Sequence, residues 1–436
     1  MANTLNSPHR PNHKFTKAAI LFAGGPAPAA NAVISAAAAS FLKSGIDVVG
    51  IRNGYSRLVE FNVDKPLLET HDYYTLTHRF LSRSRNTQGI LIGTARTNPG
   101  KHVNSRQDLL DPEKVLPLRR VHQALRSMGV DALVSIGGDD TLKSANKFKL
   151  YQEKHVDESE RIAIVHLPKT IDNDYYGIDF TFGYFTAVEF LASEIRNLIY
   201  DAEAVQCYFI AETMGRSAGW LAYGAAIAGE ASLVISVEDI MDYYLETEEV
   251  IDPESGATTI RNVMNMGRVV QRIVKTMLAR EEEKKEFGVV VLAEGLAEML
   301  PSKFIDSVSR DDHGHLSIAD IKLNDIFSDL VTREFIRQTG RVRKVKGVQL
   351  GYESRCAKPH AFDVMLGSQL GVGAYRALVE NQLDGVMVST SGQLDLHYEQ
   401  FENLVDQETL VTKVRHIEAG SDFHRLARFL ETHVNE

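Results

Sequence analysis

Cysteine is scarce in this chain: two residues in 436, Cys207 and Cys356. Two thiols supply no disulfide framework, which excludes the small stapled folds of secreted proteins and fits a reducing, cytoplasmic compartment. Positive charge is also in short supply. Lys and Arg number 48 against 58 Asp and Glu, a net charge of −10, which argues against nucleic acid as the main partner. Long hydrophobic runs are missing too. The longest uncharged stretch, Ala18 to Leu42, follows Lys14 and Lys17, but Gly24, Gly25, Pro26 and Pro28 interrupt it. Only about six apolar residues precede that break, too few for a signal peptide or a membrane span. There is no short repeat and no low-complexity tract. What remains is a chain that is 44% hydrophobic, able to bury a large core and expected to fold as two domains. Residues 1–15, rich in Asn, Pro and His, read as a disordered tail.

Strand-like and helix-like runs alternate along the rest, the pattern of parallel sheets with helices on both faces. Ala18–Ala23 and Asp47–Ile51 read as strands, with a small-residue helix over Asn31–Leu42 between them. Helical periodicity over Leu118–Met128 leads into the apolar run Ala132–Ile136, and Ile162–Leu167 is a second run of that kind. A long helix is predicted over Phe182–Tyr200, then strands over Val205–Ile210 and Gly288–Ala293. Thr87 and Gly89 precede another short apolar strand. Glu246–Thr259 reads as an inserted loop or hairpin, and Ala279–Glu286 as a solvated, charged helix face.

The runs that carry chemistry sit where two of these strands end. Gly137-Gly138-Asp139-Asp140 follows the first buried strand, and Pro168-Lys169-Thr170-Ile171-Asp172-Asn173-Asp174 follows the second. Ligands of open α/β sheets bind at the carboxyl ends of strands. Glycines allow the backbone close to a phosphate, and carboxylates hold the magnesium that phosphates bring. Four carboxylates and one lysine at two strand ends outline a phosphoryl-transfer site.

At these residues the chain resembles the phosphofructokinase family, and the likeness continues in family order over roughly residues 18–380. Gly24-Gly25-Pro26-Ala27-Pro28-Ala29-Ala30-Asn31 is similar to the family's first glycine turn, and Gly93-Thr94-Ala95-Arg96 to its second phosphate loop. Met214-Gly215-Arg216, Ala293-Glu294-Gly295 and Gly351-Tyr352-Glu353-Ser354-Arg355 have counterparts there as well. The resemblance implies two Rossmann-like lobes with largely parallel sheets and an active site in the cleft between them. The implied phosphate-donor lobe covers 16–183 plus about 354–405, and the sugar-phosphate lobe 184–353 plus about 406–436.

Transfer of a phosphoryl group needs a base for the attacking hydroxyl, a metal on the phosphates and cations for the transition state. By its match to the family's T-I-D-x-D motif, Asp172 is the implied general base, with Asp174 positioning it or the metal and Thr170 beside them on the substrate. Asp139 is the implied Mg2+ ligand; an N-cap for a helix beginning at Thr141 is its plain structural alternative. Arg216 stabilises charge in the transition state. The sugar phosphate falls to Met214, Gly215, Glu294, Tyr352 and Arg355, and Lys346, six residues before Tyr352, stands where the family carries a basic phosphate ligand. Gly25, Arg96 and Gly138 line the donor side.

The identity of the donor turns on Asp140 and Lys169. ATP-dependent members usually have glycine at both positions. A carboxylate at 140 fills the space of a nucleotide α-phosphate and repels it, by roughly 4 kcal/mol for unit charges about 4 Å apart at an intermediate dielectric. Lys169 supplies the cation that compact inorganic pyrophosphate needs. The pair resembles the pyrophosphate-dependent subfamily, as does Tyr352. The resemblance thus implies reversible, Mg2+-dependent transfer from pyrophosphate to O1 of fructose 6-phosphate in a homodimer or homotetramer. An ATP-dependent enzyme and a catalytically silent, sugar-phosphate-binding paralogue are the alternatives. Two departures stand out. Ala29 replaces a glycine of the first turn, which implies a stiffer or displaced loop. Cys207 lies nine residues before Arg216, where ATP-dependent members present an arginine to a neighbouring subunit, so that contact and any subunit-borne allostery are not implied here.

Overall fold

A computed structural model describes residues 5–251, 258–305 and 321–434. The chain divides into two compact units. One holds residues 1–170, 175–185 and 355–413; the other holds 171–174, 186–354 and 414–436.

The first unit is built on a seven-stranded sheet. Five strands come early: β1 (Lys17–Ala23), β2 (Asp47–Ile51), β3 (Tyr73–Thr75), β4 (Ala132–Gly137) and β5 (Ala163–Pro168). The second unit takes β6 (Tyr208–Thr213), β7 (Leu233–Ile235), β8 (Leu245–Ile251), β9 (Thr258–Met264), β10 (Gly288–Ala293) and β11 (Val345–Leu350), after which β12 (Val386–Ser391) and β13 (Asp395–Gln400) return to the first sheet. Its order is β13-β12-β5-β4-β1-β2-β3, parallel except at the two edges, where β3 and β13 run antiparallel to their neighbours. The continuous apolar runs predicted as strands are buried on both faces, as a helix-covered parallel sheet requires. From β1 the chain moves out to β2 through the Ala30–Lys43 helix and later returns to β1's other side as β4. This reversal makes a topological switch point at the ends of β1 and β4.

The second unit carries a four-stranded sheet, β11-β6-β10-β7, parallel at every pairing. The helices Met266–Glu282 and Leu323–Thr339 pack against it around a core that includes Met277, Phe327 and Phe335.

Several local expectations need correction. No strand follows Gly89; Ile90–Ile92 makes a turn, with the Leu91 N–H held by Asn31 Oδ1 at 2.8 Å and the Gly93 N–H by the Ile90 carbonyl at 3.0 Å. Val205 closes the helix Tyr184–Val205, and the strand begins at Tyr208. The charged run 279–286 is not simply solvated, because Glu281 holds Arg341 at 2.6 Å and Arg343 at 2.8 Å. The segment expected as a loop or hairpin pairs as an antiparallel hairpin of β8 and β9, with residues 252–257 outside the described residues. Of the expected tail, residues 1–4 lie outside the described residues. Its last residues are anchored: Phe15 is buried and His13 Nε2 bonds to the Ser44 carbonyl at 3.1 Å.

Candidate active-site residues

In the first unit the ends of β1, β4 and β5 are neighbours, and each ends in a motif. Gly24 has φ +88°, which favours glycine. Its N–H donates to the Ala95 carbonyl at 2.9 Å, and Thr94 Oγ1 donates back to the Gly24 carbonyl at 2.7 Å. The two expected phosphate loops are therefore stitched together, leaving Arg96 exposed beside the join. Gly137 cannot be larger: a Cβ there would lie 2.3 Å from Thr141 Oγ1.

The helix Asp139–His155 starts directly at the end of β4, with Gly138 as its N-cap. Asp139 and Asp140 thus stand in the first turn, and the N-cap reading of Asp139 is wrong: the cap makes no side-chain bond. Their charge is favoured at this helix end. Lys143, one turn on, reaches Asp139 at 3.1 Å and Asp140 at 3.0 Å. Burial pulls the Lys143 ammonium down, but the two carboxylates outweigh it and leave its pKa raised. Thr412 Oγ1 also donates to Asp139, at 3.4 Å.

Lys169 is buried. Its N–H donates to the Gly137 carbonyl at 2.9 Å. Its ammonium lies 3.6 Å from the Cβ position of Gly24 and 3.8 Å from that of Gly138, which places it between the two glycine turns at the start of the helix. The Arg355 guanidinium carbon lies 4.0 Å from the Cβ position of Gly25. This unit so gathers Gly25, Gly138, Asp139, Asp140, Lys169 and Arg355. Arg355, expected on the sugar phosphate, sits beside the first glycine turn.

A buried relay supports the turn. Tyr175 OH donates to the Gly137 carbonyl at 2.9 Å and accepts from His166 Nε2 at 3.0 Å. Burial pushes the His166 imidazole down to about 3, so it stays neutral. Thr181 Oγ1 holds the Thr170 carbonyl at 2.9 Å. Sequence reasoning missed His166, Tyr175, Lys143 and Thr412. Only Lys143 carried a signal, its spacing of three and four residues from the two carboxylates on a helix.

The second unit repeats the arrangement at the ends of β11, β6 and β10, again three neighbours. Met214 is buried just past β6, and the Gly215 N–H donates to Glu294 Oε1, at the end of β10, at 3.2 Å. Glu294 therefore holds the Met214–Arg216 turn. Arg216 is exposed and pairs with Glu298 at 2.8 Å. Tyr352 is exposed after β11. Lys346 is not brought to this end. It is the second residue of β11, in register with Phe209 at the start of β6, with its ammonium 4.8 Å from the Phe209 ring and 3.4 Å from Asp201. Its strand position, not its distance in sequence from Tyr352, decides where it lies.

Asp172 and Asp174 belong to the loop 171–174, which packs with this second unit. Asn173 between them is fully buried at φ 55°. The Asp174 carbonyl accepts from the Arg415 N–H, and the Asn173 carbonyl from Arg415 Nη2, both at 2.8 Å.

The model of the family described as phosphofructokinase matches residues 17–378. Among curated proteins, the chain is 32% identical over 419 residues to the pyrophosphate–fructose 6-phosphate 1-phosphotransferase of Thermotoga maritima, covering 94% of this chain and 88% of the relative. It is 30% identical over 398 residues to ATP-dependent 6-phosphofructokinase 2 of Clostridium perfringens, covering 89% and 92%. Among solved structures, the pyrophosphate-dependent phosphofructokinase of Marinobacter aquaeolei superposes with a TM-score of 0.64 at 17% identity, over 97% of this chain and 93% of that one, a likeness of fold.

Proposed function

The chain belongs to the phosphofructokinase family, and we propose that it moves a phosphoryl group from pyrophosphate to O1 of fructose 6-phosphate. The products are fructose 1,6-bisphosphate and phosphate. The observation that carries the choice of donor is the placement of Lys169: a buried ammonium within 4 Å of the Cβ positions of both Gly24 and Gly138. A cation so enclosed suits a small, dense anion.

Asp140 contributes differently from what charge alone suggests. It is exposed and paired with Lys143, so screening and pairing reduce its repulsion well below the roughly 4 kcal/mol of a bare pair. Its bulk in the first helical turn then does most of the exclusion of a longer donor.

In the forward reaction Asp172 takes the proton of the 1-hydroxyl as O1 bonds to phosphorus. The bond from that phosphorus to the bridging oxygen breaks, and phosphate leaves with the electron pair. Arg216, exchanging Glu298 for the substrate, offsets the charge that spreads over the transferred oxygens. Glu294 fixes the Gly215 turn, Gly351 packs against Met214 of that turn, and Tyr352 follows it on the sugar side. Gly25, Arg96, Gly138 and Lys169 hold the donor, joined by Arg355.

The residues fit magnesium in the way phosphate enzymes use it. No cluster of three or more His, Cys, Asp or Glu suited to a metal exists among the described residues, while Asp139 offers one exposed carboxylate at a helix start. Magnesium held by one carboxylate and substrate oxygens needs no more. When bound, it neutralises the phosphate oxygens. No helix among the described residues is long and apolar enough to cross a membrane. Separately, the scarcity of cysteine and the family resemblance support our reading of a cytoplasmic homodimer or homotetramer.

The test is turnover with fructose 6-phosphate and magnesium, comparing pyrophosphate and ATP. Turnover with pyrophosphate alone is expected. Turnover with ATP alone would overturn the donor assignment, and silence with both would favour a non-catalytic paralogue.

A further inference from the structure

We propose that Arg415 is a positioning residue that clamps the Ile171–Asp174 loop and so sets the place of Asp172; the proposal rests on the reading of Asp172 as the base. The loop needs such a clamp. Asn173 is a non-glycine residue in the left-handed region, a conformation that costs of order 1 kcal/mol and persists only where the surroundings impose it. Arg415 imposes it twice. Its main-chain N–H and its Nη2 donate to two successive carbonyls, those of Asp174 and Asn173.

Arg415 is itself held by Trp220 at both its carbonyl and its guanidinium, and the chain just after it is anchored as well. Its carbonyl accepts from Trp220 Nε1 at 2.9 Å, and its guanidinium stacks over the Trp220 ring at 4.6 Å. Two residues on, the Ile417 N–H donates to Glu238 Oε1 at 3.1 Å. The same carboxylate accepts from the Gly219 N–H at 3.0 Å. Trp220 in turn stacks on Phe423 of the C-terminal helix Asp422–Leu430. The stretch that follows Arg216 and the loop that carries Asp172 are thereby tied to one residue. That residue lies 37 positions beyond the family match, which stops at 378.

Arg415 acts through the loop, its guanidinium committed to the Asn173 carbonyl and the Trp220 ring. Without its guanidinium, the Asn173 carbonyl loses its charged donor and the loop relaxes from its strained conformation. A shift of about an ångström in a reacting group costs up to roughly a hundredfold in rate.

The experiment compares the full-length enzyme with Arg415→Met, Arg415→Lys and Asp172→Asn. For Arg415→Met, kcat is expected to fall roughly ten- to a hundredfold with both KM values within about twofold, and the acid limb of the kcat–pH profile should move. Arg415→Lys keeps a donor within reach of the Asn173 carbonyl and should recover part of the loss. Wild-type kcat in Arg415→Met overturns the proposal, as does a loss of activity that matches a loss of folded protein. If Arg415→Met does not fold, Trp220→Phe decides. It keeps an aromatic ring, though a smaller one, removes the indole N–H, and should lower kcat severalfold at unchanged KM; no change would overturn the clamp. Asp172→Asn tests the base separately: an active Asp172→Asn refutes that assignment, and only the Arg415 variants decide the clamp.

Discussion

The two acidic motifs of this protein are held in opposite ways. Asp139 and Asp140 stand on regular structure, the first turn of a helix that leaves a buried strand. Their charged partner Lys143 comes from the same helix, and the distant Thr412 adds only a long hydrogen bond to Asp139, at 3.4 Å. Asp172 and Asp174 stand on an irregular loop, one residue of which is left-handed and buried, and the group that holds it is 242 residues away from Asn173. The helical pair gets its geometry from its own sequence, and the loop gets its geometry from a distant segment. Damage to the first is expected to be graded and local, and damage to the second steep.

Asp172→Asn tests the steep side most directly. Turnover should fall by roughly a hundredfold or more, the scale of a lost general base, while the thermal midpoint stays near wild type; both are read on one purified sample. Near-normal activity would remove the loop's special status. Next comes the cation beside the helical pair. Changing Asp140 and Lys169 together to glycine should lower kcat/KM for pyrophosphate by about a hundredfold, the scale of a lost buried charge contact, and raise the use of ATP. An unchanged donor ratio would break the assignment of donor choice to this region.

A smaller effect should separate pairing from chemistry. In Lys143→Met the two carboxylates, themselves more than half exposed, lose a partly buried partner worth about 1 kcal/mol. Titration of activity with magnesium should show a half-saturation lowered by no more than about fivefold, since the metal no longer displaces an ammonium from Asp139. Ala29 sharpens the comparison from another direction, because strain occurs near the regular motif as well. It adopts φ 64° as N-cap of its helix, so the loop keeps a left-handed turn and bears the cost of a side chain. Ala29→Gly should raise stability by about 1 kcal/mol, read by denaturant unfolding.

The mildest expectation concerns pH. His416, next to Arg415, lies 3.8 Å from Glu238, whose carboxylate, helped by the more distant charge of Asp174, holds the imidazole pKa above its ordinary value against the opposing effect of burial. A raised histidine favours the folded state most below about pH 6.5 and loses that contribution as pH rises through the raised value. The wild type should therefore be more stable than His416→Gln at pH 6, with the gap closing by pH 9.

The same contrast explains what was legible in the sequence. Alternating apolar runs gave the parallel sheets, and motifs at strand ends gave the glycine turns, because strand burial and helix starts are set within ten or twenty residues. Lys346 was misplaced for a physical reason: spacing from Tyr352 does not say which end of a strand a residue occupies. His166 read as one more member of an apolar strand, and its link through Tyr175 to Gly137 exists only in three dimensions. Arg415 had no local signal at all. A lone arginine between Val414 and His416 gains its meaning from the ring of Trp220 and two carbonyls that only the folded chain brings to it.

The span between Asn173 and Arg415 also orders events in time. A growing chain at roughly 5–20 residues per second makes the Asp172 loop on the order of ten seconds or more before Arg415 is synthesised. A nascent or truncated chain ending before Val414 therefore carries the glycine turns, the acidic motifs and the Tyr352–Arg355 run and still lacks the group that holds the Asp172 loop. Under the proposal the loop is made early and takes its shape late, when a segment 242 residues further along folds back onto it.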